Sequence, residues 1–387
     1  MLNRYELPEP ERDASPGFWK RHGWWLVPLL VFDVLLLAWC ARRDQPDATT
    51  PPAETVSPAT ESVADTNTPA PAGLVFGYPT AQHQLLMTNA EGVYMPTASG
   101  RIESALYGSV RTTQQGKYYL PSFHEGLDIA PLARDRKNMP TDPILAAADG
   151  RVLYVNRIAG NSNYGKYVVL GHPDPAGEIY TLYAHLADVP RSLKTGDAVT
   201  RGQNIGLMGN SASTGLPVVR AHLHFEVGVI NNLQFHRWFK AQKLKPDHGN
   251  FHGHNLTGLN PADVYRWQDI HPAFNLGEYL ATHPPSFELA VRLVRRPDYF
   301  VRYPGLWKGG EQHAGAAVFG VSEGGVIQWG RPATDEEKRR LGSQPNTVLS
   351  VDETALGRNG LRLVVKRNGN WALGDNGKRW LEILLYH

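Results

Sequence analysis

Three short clusters hold the side chains of this chain best suited to chemistry: His124-Glu-Gly-Leu-Asp128, Tyr183-Ala-His185 and His222-Leu-His224. Together they supply four imidazoles and, at the end of the first cluster, the Asp128 carboxylate. That set can hold one zinc ion and still leave acid/base groups beside it. Neutral imidazole and carboxylate are the ligands a catalytic zinc uses when no thiolate is offered. The clusters therefore point to metal-assisted hydrolysis. Taken singly, each is weak. An H-x-x-x-D spacing arises by chance, and an H-x-H on a strand is more often structural than ligating. Their succession along one chain gives them weight.

Such side chains need rigid elements behind them. His222-Leu-His224-Phe-Glu226-Val alternates polar and apolar residues. On a strand this puts His222, His224 and Glu226 on one face and Leu223, Phe225 and Val227 on the other, toward a core. Upstream, PILAAADGRVLYVNRI, YGKYVVLGH and EIYTLYAHL are short β-prone runs punctuated by Gly, Asn and Asp. The stretch from Lys194 to Gly206 alternates apolar residues with Gly turns and predicts tight antiparallel hairpins. Residues 74–270 are thus expected to form a strand-rich domain carrying the site, with its motifs within 106–230. Pro261 to Trp267 predicts a closing turn or short helix. His236, His248, His252, His254 and His271 follow the third cluster at irregular spacing, among loop signals such as HGN and HGHN. They read as structural, not as a second metal site.

Residues 274–387 read as a smaller, β-rich accessory domain without a catalytic constellation. A helix is expected around Pro285 to Arg295. DYFVRY, AAVFGV, GVIQWG, TVLSV, LRLVVKR and LEILLYH look strand-like, with hairpin turns at Asn368-Gly369 and Asp375-Asn-Gly377. Trp307, Trp329, Trp371 and Trp380 read mainly as core. A stacking surface, or a face for an envelope protein partner, is their other possible use.

At 387 residues the chain has room for two domains plus extensions. A net charge of +2 gives no case for nucleic acid binding. The single cysteine, Cys40, lies in an N-terminal apolar stretch, so the rest of the chain can form no disulfide and no Cys-ligated metal site. Residues 23–41, GWWLVPLLVFDVLLLAWCA, are flanked by Lys20-Arg21 and Arg42-Arg43. At about 1.5 Å per residue such a helix just spans a hydrocarbon core of about 30 Å. Trp24, Trp25 and Trp39 sit where aromatic rings favour the interface, while Asp33 costs roughly 3 kcal/mol. A single-pass signal anchor in the cytoplasmic membrane is expected, with residues 1–22 as a cytoplasmic tail. A cleaved signal ending near Ala38-Trp-Cys40 is the main rival. A lipoprotein signal is disfavoured by Trp39 before the cysteine. The flanking charges are nearly balanced and do not fix orientation. Residues 42–73, rich in Pro, Thr and Ala, are expected to be a disordered tether.

The segment from about Leu106 to Val227 resembles the lysostaphin/LytM-type zinc metallopeptidase family of peptidoglycan endopeptidases. The matching stretches are FHEGLDIA (123–130), ILAAADGRVLYV (144–155), NYGKYVVLGH (163–172), YTLYAHL (180–186), LKTGDAVTRGQNIGLMGN (193–210) and AHLHFEV (221–227). They span roughly a third of the chain. The resemblance implies a mainly β fold, a small antiparallel sheet with loops walling a groove. It implies that His124, Asp128 and His224 hold one Zn2+, with the fourth position left to water. It leaves His185 and His222 off the metal, to handle protons and charge, and gives Glu125 and Glu226 no leading role. The implied activity is zinc-dependent hydrolysis of peptide bonds in peptidoglycan stem peptides or cross-bridges. Such a substrate would place the catalytic domain outside the cytoplasm, in the bacterial cell envelope. Two insertions depart from the family, at 134–140 and 216–221, and both are expected as loops near the cleft. Some relatives have lost ligands and only activate cell-wall amidases, so a non-catalytic envelope regulator is the alternative. A carrier module is set aside, because no hairpin-tip lysine is present.

Overall fold

The computed structural model describes residues 73–86, 91–115, 118–310 and 315–387. The expected tail, anchor and nearly all of the tether lie outside these residues. No helix among the described residues is long and apolar enough to cross a membrane.

Strands dominate the first two-thirds of what is described. They are β1 (Val110–Gln115), β2 (Tyr118–Phe123), β3 (Leu127–Ile129), β4 (Pro143–Leu145), β5 (Gly150–Asn156), β6 (Tyr167–His172), β7 (Ile179–Ala184), β8 (Ala198–Val199), β9 (Asn204–Leu207), β10 (Leu223–Ile230) and β11 (Leu256–Leu259). The main sheet is antiparallel and runs β11-β10-β7-β6-β5-β8, with β3 also paired to β10. The mainly β expectation therefore holds. The expected hairpin after Lys194 divides between two sheets: β8 pairs with β5 and β9 with β4. The chain turns between them at Thr200–Gln203, where the backbone N–H of Gln203 donates to Thr200 O at 2.9 Å.

Strand β10 lies at the centre of the site region, and its alternation decides what faces where. Leu223, Phe225 and Val227 are buried in the main hydrophobic cluster with Leu127, Ile129, Val168 and Tyr183. Burying each such side chain contributes about 1.5–3 kcal/mol, which fixes the register and turns the intervening residues to the opposite face.

Helices α1 (Phe235–Ala241), α2 (Pro261–Ile270) and α3 (Leu276–Ala281) follow. The expected closing helix is α2, capped by Asn260, whose side chain accepts from the Ala262 N–H. Beyond it come β12 (Phe287–Leu293), α4 (Asp298–Arg302), β13 (Gly315–Val321), β14 (Ile327–Pro332), α5 (Asp335–Leu341), β15 (Asn346–Val351), β16 (Val364–Arg367), β17 (Asn370–Leu373) and α6 (Asp375–Leu385). A four-stranded antiparallel sheet, β14-β13-β12-β15, organises this part.

Three local expectations fail here. Residues 287–293 form strand β12 and not a helix, because Phe287, Leu289, Val291 and Leu293 all turn inward. DYFVRY supplies the short helix α4, tied by an Asp298–Arg302 ion pair at 2.8 Å. LEILLYH falls in α6, so Asp375-Asn-Gly377 opens a helix instead of turning a hairpin. The Asn368-Gly369 hairpin does form between β16 and β17, with both residues at positive φ, as a two-residue turn of this kind requires.

The described residues make one compact unit, and the main hydrophobic cluster runs from Leu74 to Leu384. Polar ties reinforce it. Tyr303 Oη donates to Glu178 O at 2.7 Å, and Asn232 Nδ2 reaches the carbonyls of Ile383 and Tyr386 at 2.7 Å each. Trp307 and Trp380 are buried, as expected, while Trp329 and Trp371 are half-buried.

Candidate metal centre

The sheet register assembles the site. His224 on β10 stands opposite Asp128 of β3 on one side and Ala184 of β7 on the other. His185 follows Ala184 directly, at φ +63°, where the chain leaves the sheet. His124 precedes β3, and His222 precedes β10. Five side chains from three separate segments thus meet at one end of three adjacent strands.

Three of them converge on a point. His124 Nε2 lies 3.0 Å from Asp128 Oδ1 and 3.1 Å from His224 Nδ1. His224 Nδ1 lies 3.0 Å from the same Asp128 oxygen. All three residues are buried, and among the described residues they form the group able to hold a metal ion. His222 Nε2 approaches Asp128 Oδ1 at 3.4 Å without joining this triangle. The His185 and His222 rings lie beside it, with centroids 4.8 Å apart.

The outer nitrogen of each ring explains which nitrogen faces inward. His124 Nδ1 sits 2.9 Å from Leu106 O, His185 Nδ1 2.9 Å from Ser211 O, and His222 Nδ1 2.6 Å from Arg220 O. A carbonyl can only accept, so each Nδ1 carries a proton, and it is the Nε2 lone pair that the neutral ring turns inward. His224 is turned the other way: its Nε2 donates to Glu226 Oε1 at 2.8 Å, leaving Nδ1 toward the triangle. Two imidazole nitrogens and a carboxylate oxygen at about 3 Å from one another suit a cation held between them. Tetrahedral zinc at its usual ligand distances would set such edges at about 3.3 Å, so the residues present fit the ion.

Burial and charge support the same arrangement. Burial opposes charge on Asp128, but His124, His222 and Arg111 hold its carboxyl well below the usual range. Burial also opposes charge on His224, yet its hydrogen bonds to Asp128 and Glu226 push its pKa up to about 9. Without a metal, a proton on His224 therefore supplies the missing positive charge. Burial, with His222 and His224 nearby, drives His185 down to about 3, so its ring is neutral at neutral pH. Glu125 is pushed up to about 7 by burial and by Glu226.

Several residues support the site through contacts that no motif spells out. Arg111 of β1 reaches the second oxygen of Asp128, and its Nε donates to Ser104 O at 2.7 Å. Nothing in the sequence marks that contact. Glu226 is fully buried and accepts from Tyr164 Oη and Tyr180 Oη at 2.8 Å each. The alternation of β10 placed Glu226 on the correct face, but its hydrogen bonds from the two tyrosines were not legible. Gly228 stands opposite Tyr180, and a Cβ there would lie 2.9 Å from that ring. The two insertions touch each other: Arg134 donates to Val218 O at 3.0 Å and to Ala221 O at 3.1 Å, beside His222.

Residues 122–235 match the family model described as peptidase family M23. A curated relative from Haemophilus influenzae, described as an uncharacterized metalloprotease, is 42% identical over 86 residues. That match covers 22% of this chain and only 15% of the relative. Among solved structures, a zinc containing peptidase from Vibrio cholerae is similar at 26% identity, with a TM-score of 0.22 and 35% of each chain covered. The catalytic domain of lysostaphin from Staphylococcus simulans is similar at 20% identity and a TM-score of 0.27, covering 42% of this chain and 89% of that one.

Proposed function

We propose that this chain, whose residues 122–235 match the model of peptidase family M23, is a zinc-dependent endopeptidase of the lysostaphin/LytM type acting on peptidoglycan stem peptides or cross-bridges. The observation that carries this reading is the triangle of His124, Asp128 and His224, whose inward atoms lie 3.0–3.1 Å apart. Zinc held there would supply a Lewis acid and a water acidic enough to ionise near neutral pH.

The chain's own residues would do the rest. His222 and His185 each present an Nε2 lone pair beside the triangle, fixed by the carbonyls behind them. Either nitrogen can take a proton from the attacking water and return one to the leaving amine. An imidazolium formed at either position would also stabilise negative charge on the tetrahedral oxygen. Arg111 keeps Asp128 oriented and ionised. Glu226 keeps His224 turned, with Tyr164 and Tyr180 holding the carboxylate in place.

The same reading sets the location. A wall polymer as substrate requires the catalytic unit outside the cytoplasm, and residues 23–41 are suited to anchor it to the cytoplasmic membrane. The test is to incubate zinc-loaded chain with purified peptidoglycan and cross-linked muropeptides and to follow the products by mass spectrometry, with His124→Ala as control. New fragments with free amino termini are expected from the unmodified chain alone. Wall material that is bound but left uncut by zinc-loaded protein would sink the peptidase reading and leave that of a non-catalytic envelope regulator.

A further inference from the structure

The insertions at 134–140 and 216–221 meet at one side chain, Arg134. The loop that presents it is closed on itself. Arg134 and Pro140 pair as an antiparallel bridge across the loop. Asp135 Oδ1 accepts from the backbone N–H groups of Lys137 and Met139 at 2.8 and 2.9 Å. At its foot, the buried Asp142 carboxylate accepts from the N–H groups of Leu132 and Ala133 at 2.8 and 3.2 Å. Arg134 Nη1 donates to Asn138 O at 2.8 Å in its own loop and to Val218 O at 3.0 Å in the other. Nη2 donates to Ala221 O at 3.1 Å and lies 3.4 Å from Val219 O.

These oxygens frame a single peptide group. Val218–Arg220 form one 3-10 turn, closed by the peptide group that joins Arg220 to Ala221. Its N–H, on Ala221, donates to Val218 O at 2.9 Å, the same oxygen that Arg134 Nη1 holds. Its carbonyl, Arg220 O, accepts from His222 Nδ1 at 2.6 Å. Two hydrogen bonds on one oxygen and one peptide plane thus lead from Arg134 to the His222 ring.

We propose that Arg134 is a positioning residue for His222: its two-armed guanidinium fixes the Arg220–Ala221 peptide group, and that carbonyl keeps a proton on His222 Nδ1 and turns the Nε2 lone pair inward. A hydrogen bond at one imidazole nitrogen decides which nitrogen keeps the proton. A planar guanidinium spans several carbonyls at once, which the point charge of an ammonium does not. The His222 backbone is held separately, its N–H donating to Gly209 O at 3.1 Å. Arg134 therefore governs the proton of the ring more than its place in the sheet. The kinetic consequence rests on the peptidase reading, in which His222 moves a proton; the place of the ring proton does not.

The experiment is NMR of the histidine ring nitrogens in the full chain, with and without zinc, because their shifts show which nitrogen carries the proton. His222→Ala assigns the signal by its absence. The unmodified chain should show the Nδ1–H form. In Arg134→Ala the ratio of Nδ1–H to Nε2–H forms should fall about tenfold, with zinc content unchanged by elemental analysis. On cross-linked muropeptides kcat should fall about tenfold or more while KM changes little. Arg134→Lys keeps the charge without the fork and should match Arg134→Ala. It carries the test alone if melting curves show that the alanine variant does not fold. A His222 proton that stays in place in the folded variants overturns the proposal. So does full recovery by lysine, or loss of zinc from a folded variant. If the unmodified chain cuts no muropeptide, the peptidase reading fails, while the ring-proton ratio still decides this inference.

Discussion

Two groups of histidines lie in the same compact unit, and they differ in what stands behind and between their rings. In the first, each outer nitrogen is occupied by a carbonyl or by Glu226, and Asp128 sits at the centre. In the second, His248 spends both nitrogens on structure, at 2.9 Å from Tyr154 Oη and 2.9 Å from Asn161 O. His252 Nδ1 accepts from the His254 N–H, and His271 stacks on Trp267 with centroids 3.8 Å apart. No carboxylate gathers these rings into a ligand set among the described residues. The number of histidines is therefore a poor guide to a metal site. A central carboxylate, with every ring pinned from outside, is a better one.

The comparison can be broken most directly at its centre. His224→Ala should abolish stoichiometric zinc by elemental analysis and cut peptide hydrolysis by at least about 10³-fold, more than the loss of a single oxyanion donor. Full zinc content in that variant would remove His224 from the ligand set. His222→Ala should keep zinc but lower kcat by about 10²–10⁴-fold, the usual contribution of a positioned acid or base. Zinc loss there would move His222 into the ligand set. Glu226→Gln should weaken zinc about 10–100-fold in chelator competition, as for other carboxylates behind a metal-bound histidine. An unchanged affinity would make Glu226 a packing residue.

The smallest effect is expected in the second group and should leave zinc alone. Burial, with His254 and His248 nearby, lowers the His252 pKa to about 3. The folded state thus holds His252 neutral while the unfolded chain protonates it near 6.5. Its contribution to stability is present above 6.5 and is lost as pH falls toward 3. Denaturant unfolding at pH 7 and pH 4 should therefore show a smaller acid loss in His252→Phe, whose ring can keep the 4.8 Å contact with Phe239. Equal acid sensitivity in both proteins would rule out His252 as the titrating group.

The site was more legible in the sequence than the fold around it. Alternation along β10 revealed both the shared face of His222, His224 and Glu226 and the buried side of Leu223, Phe225 and Val227. A strand period is local, so five or six residues suffice to read it. Arg111 was invisible because its contact depends on how β1 approaches β3. In the C-terminal part, local composition pointed the wrong way. Residues 285–295 contain Glu, Leu, Ala and Arg, which favour helices, yet burial of every second residue made them a strand. The apolar run LEILLYH is too short for periodicity to separate strand from helix. Its helical form is fixed by where it packs, with Ile383 against Phe235, Trp238 and Phe239.

The pairing of Asp128 with His224 across β3 and β10 also bears on when the site comes into being. The two residues are 96 apart in the chain, and His124 and His224 are 100 apart. A nascent chain holds His124 and Asp128 long before His224 has docked, and two ligands without the third bind a metal weakly. Closing so long a loop comes after local strand formation. On the proposed reading, zinc capture would mark a finished domain, and hydrolytic power would come only after the sheet has closed.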